Sequence, residues 1–261
     1  MSEASNLGRI AWYQLVTKDT EAAQKFYAAV VGWDGDDGSQ AEPSSQENGS
    51  AWSGLGSAQA LVTMDNDENL APHWRAYFSV PCVDSACQRA IMGGGEVYIE
   101  STEIPGLGKV AVLSDILGAV FAVVEPCDGL PDYSDGPVED GQFCWSELGT
   151  ENYTLAFRFY EGIFHWSPGR AVNIPQGRTY QMFKHGDREI GGILDLKRDE
   201  DVPPHWMHYI RVPSVEAAIE RAEANGGTVI IGAHQVPDGA KTACLSDPQG
   251  AVFSVWSPPG S

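Results

Sequence analysis

The side chains in this chain that hold metals, move protons or attack carbonyls are scattered, and their spacing narrows what each does. His205-x-x-His208 has a spacing met in metal sites. On a strand, however, two residues three apart point to opposite faces, and no partner cluster stands at usable spacing. His73 and His205 each sit in a Pro-His-Trp triplet, so the expectation for them is positional: a hydrogen bond at the entrance of a strand. His165, His185 and His234 stand alone and are read as exposed. The five cysteines, Cys82, Cys87, Cys127, Cys144 and Cys244, are odd in number and include no Cys-x-x-Cys. With no secretory leader in view they are expected to be free thiols in a reducing cytosol, serving as small buried hydrophobes. Gly93-Gly94-Gly95 and Gly226-Gly227 read as helix stops, because neither lies in a Gly-x-Gly-x-x-Gly turn between strand and helix. There is no Gly-x-Ser-x-Gly elbow and no persuasive nucleophile triad.

The elements that must position a site come in duplicate. Residues 12–33, WYQLVTKDTEAAQKFYAAVVGW, answer residues 145–166, WSELGTENYTLAFRFYEGIFHW, at an offset of 133. Residues 72–99 answer residues 204–231 at an offset of 132, and the match runs on through Leu113-Ser114-Asp115 and Leu245-Ser246-Asp247. The chain is therefore read as a tandem duplication: a first module over 1–128, a Pro/Gly/Asp-rich linker over 129–140 and a second module over 141–261. Each module again contains two similar half-units. Residues 9–17 alternate as a half-buried strand does; Asp19-Thr20-Glu21 then opens a helix over 22–31 that closes near Gly32. The second half-unit repeats the order, with a strand at 75–80, a helix at 84–92 and strands near 96–101, 109–114 and 119–125. Strand, helix and three strands are expected four times, with residues 35–49 as a mobile loop.

This order resembles the vicinal oxygen chelate superfamily of glyoxalase I, extradiol dioxygenases and bleomycin- and fosfomycin-resistance proteins. The residues that carry the resemblance are Asp19 with Phe26-Tyr27, Pro72-His73-Trp74, Gly94-Gly95 and Asp247-Pro248-x-Gly250-Ala251-Val252-Phe253. It covers nearly the whole chain and implies an α+β fold: four βαβββ units forming two fused glyoxalase-like modules with curved mixed sheets. Function does not follow from it, since the superfamily hosts isomerases, lyases, dioxygenases and metal-free binding proteins.

Members with metal chemistry draw His and Glu from the first and last strands of the half-units into a cup. Carried over residue by residue, the first-strand positions fall on Trp12 and Trp145, those of the second half-units on Arg75 and Met207, and the last-strand positions on Ala122 and Ser254. The remaining position falls near Leu61 or Leu194, with Asp195 the only nearby contender. The usual metal site is expected to be absent from both modules, and no cofactor is expected; a divalent metal on displaced ligands is the alternative. Strand parity adds neighbours on the same faces: Gln14 beside Trp12, Glu147 beside Trp145, Tyr77 beside Arg75, and Tyr209 and Arg211 beside Met207. The ligand-binding candidates are thus Trp12, Gln14, Arg75, Tyr77, Trp145, Met207, Arg211 and Ser254, with Glu147 and Tyr209 as candidate acid/base groups. The bland reading stands beside this: tryptophans filling an obsolete cup, Arg75 paired to an acid, and Glu147 at the surface if the parity slips by one.

Composition limits the partners. With 16 Lys+Arg against 36 Asp+Glu the net charge is −20, which disfavours nucleic acid and anionic membranes. No apolar stretch exceeds strand length, and a cytoplasmic location is expected. The reading is a protein, monomeric or homodimeric, that binds or acts on a small aromatic or apolar organic molecule without a metal at the usual site. The alternative is a metal-dependent lyase, isomerase or dioxygenase.

Overall fold

The computed structural model describes residues 7–33, 52–54, 60–64, 70–104, 107–126, 137–174, 178–196 and 202–261. The expected loop at 35–49 and most of the linker lie outside the described residues. The fold is α+β; the described residues form two mixed sheets, one of seven strands and one of eight, and four helices. In chain order the elements of the first half are β1 (Ile10–Thr17), α1 (Thr20–Val31), β2 (Trp52–Gly54), β3 (Ala60–Met64), β4 (His73–Ser79), α2 (Val83–Met92), β5 (Glu96–Ile104), β6 (Gly108–Ser114) and β7 (Val120–Pro126). The second half gives β8 (Phe143–Thr150), α3 (Tyr153–Phe164), β9 (Ser167–Ile174), β10 (Arg178–His185), β11 (Arg188–Asp195), β12 (His205–Arg211), α4 (Val215–Ala224), β13 (Thr228–Gln235), β14 (Lys241–Ser246) and β15 (Val252–Ser257). Three of the four half-units show the expected strand, helix and three strands; in the first, the described residues supply two strands after α1.

Local chemistry explains the boundaries. Asp19 caps α1 by accepting from the Ala22 amide at 3.0 Å, and Asn152 caps α3 by accepting from Leu155 at 3.1 Å. Gly32 ends α1 in the left-handed region with φ 81°; in the second copy the equivalent turn is made by His165 at φ 57°.

Contacts divide the chain into two compact units that do not follow the sequence halves. The first comprises Met1–Ala11, Arg75–Asp135 and Ser146–Trp206; the second comprises Trp12–Trp74, Gly136–Trp145 and Met207–Ser261. In the first unit α2 packs on α3, and the strands run in the orders β4-β7-β6-β5 and β8-β11-β10-β9. In the second unit α1 packs on α4, and the orders are β2-β3-β1 and β12-β15-β14-β13. Each unit thus takes one helix and its strands from each half of the sequence.

The residues that carry the sequence resemblance turn out to tie these units together from within. In the second unit the Trp74 indole donates to the Tyr27 hydroxyl at 2.8 Å, and that hydroxyl donates to Asp247 Oδ2 at 3.3 Å. The first unit repeats the chain with Trp206, Tyr160 and Asp115, at 3.1 and 3.0 Å. The other oxygen of each aspartate closes its own turn: Asp115 Oδ1 accepts from Leu117 and Ala119, and Asp247 Oδ1 from Gln249 and Ala251. Aromatic rings fill the space around these networks. Tyr13 stacks on Phe143 with centroids 3.7 Å apart, and Trp166 on Phe183 at 4.1 Å. His73 Nδ1 lies 2.8 Å from the Ala71 carbonyl and His205 Nδ1 2.9 Å from that of Pro203, so both histidines do pin strand entrances.

One expectation fails. β1 alternates in sequence but not in burial: Trp12 and Gln14 on one face are as covered as Tyr13 and Leu15 on the other. Large aromatic side chains on both faces let a strand be enclosed on both sides, and alternation in polarity then no longer marks an inside and an outside.

Candidate functional site

Strand faces locate the candidate side chains. In β12 the buried residues are Trp206, His208 and Ile210, while Met207, Tyr209 and Arg211 form a half-buried face between them. His205 and His208 accordingly fall on opposite faces, and His208 lies edge-on to Tyr13 in the core. In β8, Ser146 and Leu148 are buried, and half-buried Trp145 and Glu147 share the other face. In each of these two strands the candidate residues thus share one half-buried face. In β4 and β1 the equivalent residues are enclosed: Arg75, Tyr77, Trp12 and Gln14 are all buried. Tyr77 hydrogen-bonds Arg75, and burial pushes its phenol above the ordinary tyrosine range while the guanidinium pulls it back. The open faces belong to the second module.

Within the second unit, Tyr209 stands opposite Ser254 and Arg211 opposite Trp256 in the parallel pairing of β12 with β15. Arg211 is engaged: its Nε donates to Asp140 Oδ1 at 3.0 Å, and its Nη1 donates to the Val138 carbonyl. Its charge is committed to fixing the segment that leads into β8. Cys144, which points its thiol at the Tyr209 carbonyl, is pushed up to about 12 by burial and is inert as a nucleophile.

Within the first unit, Glu147 stands opposite Gly192 in the parallel pairing of β8 with β11, and register partners in a parallel pair share a face. A Cβ on Gly192 would lie 2.3 Å from the ring and hydroxyl of Tyr180, so the Tyr180 phenol lies over Gly192 beside Glu147. Gly149, two residues from Glu147 on the same face, is overlain by the His205 ring and by Leu196. Met182 pairs with Gly192 and Tyr180 with Leu194, which completes a floor of two glycines and apolar side chains around Glu147. Sequence reading missed Tyr180, Met182 and Gly192. The signal available was Gly191-Gly192 inside a strand, which marks a close approach of another group.

The residues do not fit a metal of the superfamily type. Trp12, Trp145, Arg75 and Ala122 offer no ligand, Met207 and Ser254 offer poor ones, and Leu194 occupies its position with a hydrocarbon. Asp195 Oδ1 accepts from the Tyr153 amide at 2.8 Å and lies one residue out of phase with Gly192 and Leu194, hence on the other face. Among the described residues no group of three His, Cys, Asp or Glu side chains is gathered for a metal ion. Among them, too, no helix is long and apolar enough to cross a membrane.

Comparison with known proteins agrees with this architecture. The family model described as Glyoxalase/Bleomycin resistance protein/Dioxygenase superfamily matches residues 144–255. The chain is 32% identical to CFP32 of Mycobacterium tuberculosis, which is named as a glyoxylase, over 95% of this chain and 94% of that protein. It is 30% identical to the anthracycline biosynthesis protein DnrV of Streptomyces peucetius, over 95% of this chain and 92% of that one. Among solved structures, the Mn(II)-bound glyoxalase of Novosphingobium aromaticivorans superposes with a TM-score of 0.64 at 16% identity, covering 97% of this chain and 83% of that one. The chain belongs to the glyoxalase/bleomycin resistance/dioxygenase superfamily.

Proposed function

We propose that this protein binds, and in the enzymatic form of the reading transforms, a small flat aromatic molecule on the open faces of its second module, with no metal at the positions the superfamily uses. The observation that supports the reading is the substitution of those positions by Trp145, Met207 and Ser254; Glu147 lies two residues from Trp145 on a half-buried face of β8, and Tyr209 two residues from Met207 on a half-buried face of β12. Aromatic and thioether walls with a few polar groups suit a planar organic ligand. The name of DnrV supports the same ligand class, anthracyclines being flat polycyclic compounds. If the ligand is turned over, Glu147 or Tyr209 would serve as the acid/base group. The reading makes the protein cytoplasmic, a setting suited to the free thiols of Cys82, Cys87, Cys144 and Cys244, and monomeric or homodimeric.

The test is a fluorescence titration of the metal-analysed protein with a panel of polycyclic aromatics. Trp145→Ala should weaken binding roughly tenfold or more without unfolding, and a chelator should change nothing. Glu147→Gln should leave binding intact and abolish any turnover. Stoichiometric bound metal, or ligand binding lost on chelation, would overturn the metal-free reading in favour of a metal-dependent lyase, isomerase or dioxygenase with displaced ligands.

A further inference from the structure

The face of β8, β11, β10 and β9 that carries Glu147 also carries a cation. Arg178 lies two residues before Tyr180 on β10 and so projects from the same face. Among the described residues it makes no ion pair, and its Nε is buried with no hydrogen-bond partner. Its chain has an acidic excess, and on the neighbouring strand β9 Arg170 does find a carboxylate, pairing with Glu189 at 2.8 Å. A buried guanidinium nitrogen left unsatisfied is costly, and an anion arriving from outside the chain would satisfy it.

The rest of the face indicates what the anion is attached to. Val172 pairs with Tyr180 and Ile174 with Arg178, so both half-buried aliphatic side chains line the same side. Gly192 carries no side chain there, and the end of the Tyr180 ring with its hydroxyl occupies the room it leaves. Arg178 stands at one end of this strip and Glu147, two strands away, at the other. The strip is apolar along its length, cationic at one end and carboxylate-bearing at the other.

We propose that this face takes a flat hydroxyaromatic carboxylate: Arg178 binds the carboxylate, Tyr180 and the aliphatic wall hold the rings, and Glu147 accepts a hydrogen bond from the distal hydroxyl. The inference rests on the aromatic-ligand reading above and adds to it the charge and polarity of the ligand. None of the superfamily's metal positions takes part.

The probe is 6-hydroxy-2-naphthoate, compared with 2-naphthoate, 2-naphthol and naphthalene by fluorescence titration of the full chain. The expected order is the hydroxy acid tightest, and naphthalene weakest. Arg178→Met should cost the two carboxylates roughly tenfold or more and leave 2-naphthol unchanged, as expected for loss of a hydrogen-bonded ion pair. Tyr180→Phe should weaken all four ring systems little and the two hydroxylated ones most. Gly192→Ala meets only the far end of the Tyr180 side chain, so it should keep the fold and shift the ring, lowering the affinity of every probe. Arg178→Met binding the carboxylates as well as the unaltered protein, or 2-naphthol binding more tightly than the hydroxy acid, overturns the proposal and leaves the aromatic reading in place. If none of the four probes binds, both fall.

Discussion

Tyr27 and Tyr160 each use one hydroxyl twice, accepting from a tryptophan indole and donating to an aspartate that closes a turn. Removing the hydroxyl strands two buried partners. Tyr27→Phe should therefore cost about 1–3 kcal/mol in chemical denaturation, more than a surface substitution. The same networks have a pH signature. Burial raises both Asp115 and Asp247 above the ordinary carboxylate range, against the pull of their amide and phenol donors. A raised acid favours the folded state while it is protonated, so its contribution is full below the unfolded value and is lost as pH rises through the folded one. Asp247→Asn removes that titration and keeps an oxygen for the turn. The stability of the unaltered protein relative to Asp247→Asn should accordingly be greater near about pH 4 than near about pH 7. A difference that runs the other way would mean that hydrogen bonding to the ionised form outweighs its burial.

At the scale of elements, Gly191 and Gly192 are adjacent on β11 and do opposite things. A Cβ at Gly191 would lie 2.2 Å from the Phe183 ring and 2.6 Å from the Ser146 carbonyl, which belongs to the neighbouring strand backbone. Phe183 is itself stacked on Trp166 and has no room to retreat. Gly191→Ala should therefore destabilise by about 1–3 kcal/mol through overpacking, and Gly192→Ala by much less; equal urea midpoints for the two variants would refute this. This pair also shows how far the site was legible in the sequence. The β8 and β12 faces could be read because the positions carried over from the superfamily resemblance fell on Trp145 and Met207 and set the parity of each strand. β10 held no such anchor: Thr179 and Gln181 are polar and Tyr180 and Met182 apolar, yet both faces are half-buried, so polarity does not tell which of them lines a site. What orients Tyr180 and Arg178 is the missing side chain on the next strand, a tertiary fact that one strand's composition does not contain. The enclosure of β1 on both faces was hidden for a similar reason, since Gln14 looks exposed by type and is buried by packing.

For the whole molecule, the exchange of parts between halves has a consequence for folding. The hydroxyl of Tyr27 is completed by Asp247 and the indole of Trp33 by the Gly141 carbonyl at 2.5 Å, both from the second sequence half. The indole of Trp166 is completed by the Gly8 carbonyl at 2.7 Å, from the first. A chain cut to residues 1–128 therefore loses the partners of its own buried aromatics. It does keep Asp115, which occupies in the first half the place that Asp247 holds in the second. Two copies of such a fragment could supply one another with the missing groups, as a two-fold dimer does and as the two sequence halves do within one chain. Residues 1–128 expressed alone should thus be either unfolded or dimeric, and mixing with residues 141–261 should yield a one-to-one complex. Sedimentation of the fragments, separately and together, reads this directly. A monomeric 1–128 that melts cooperatively would show that each sequence half closes its own core, and the networks of Tyr27 and Tyr160 would then be accessories rather than the bonds that make the two halves one protein.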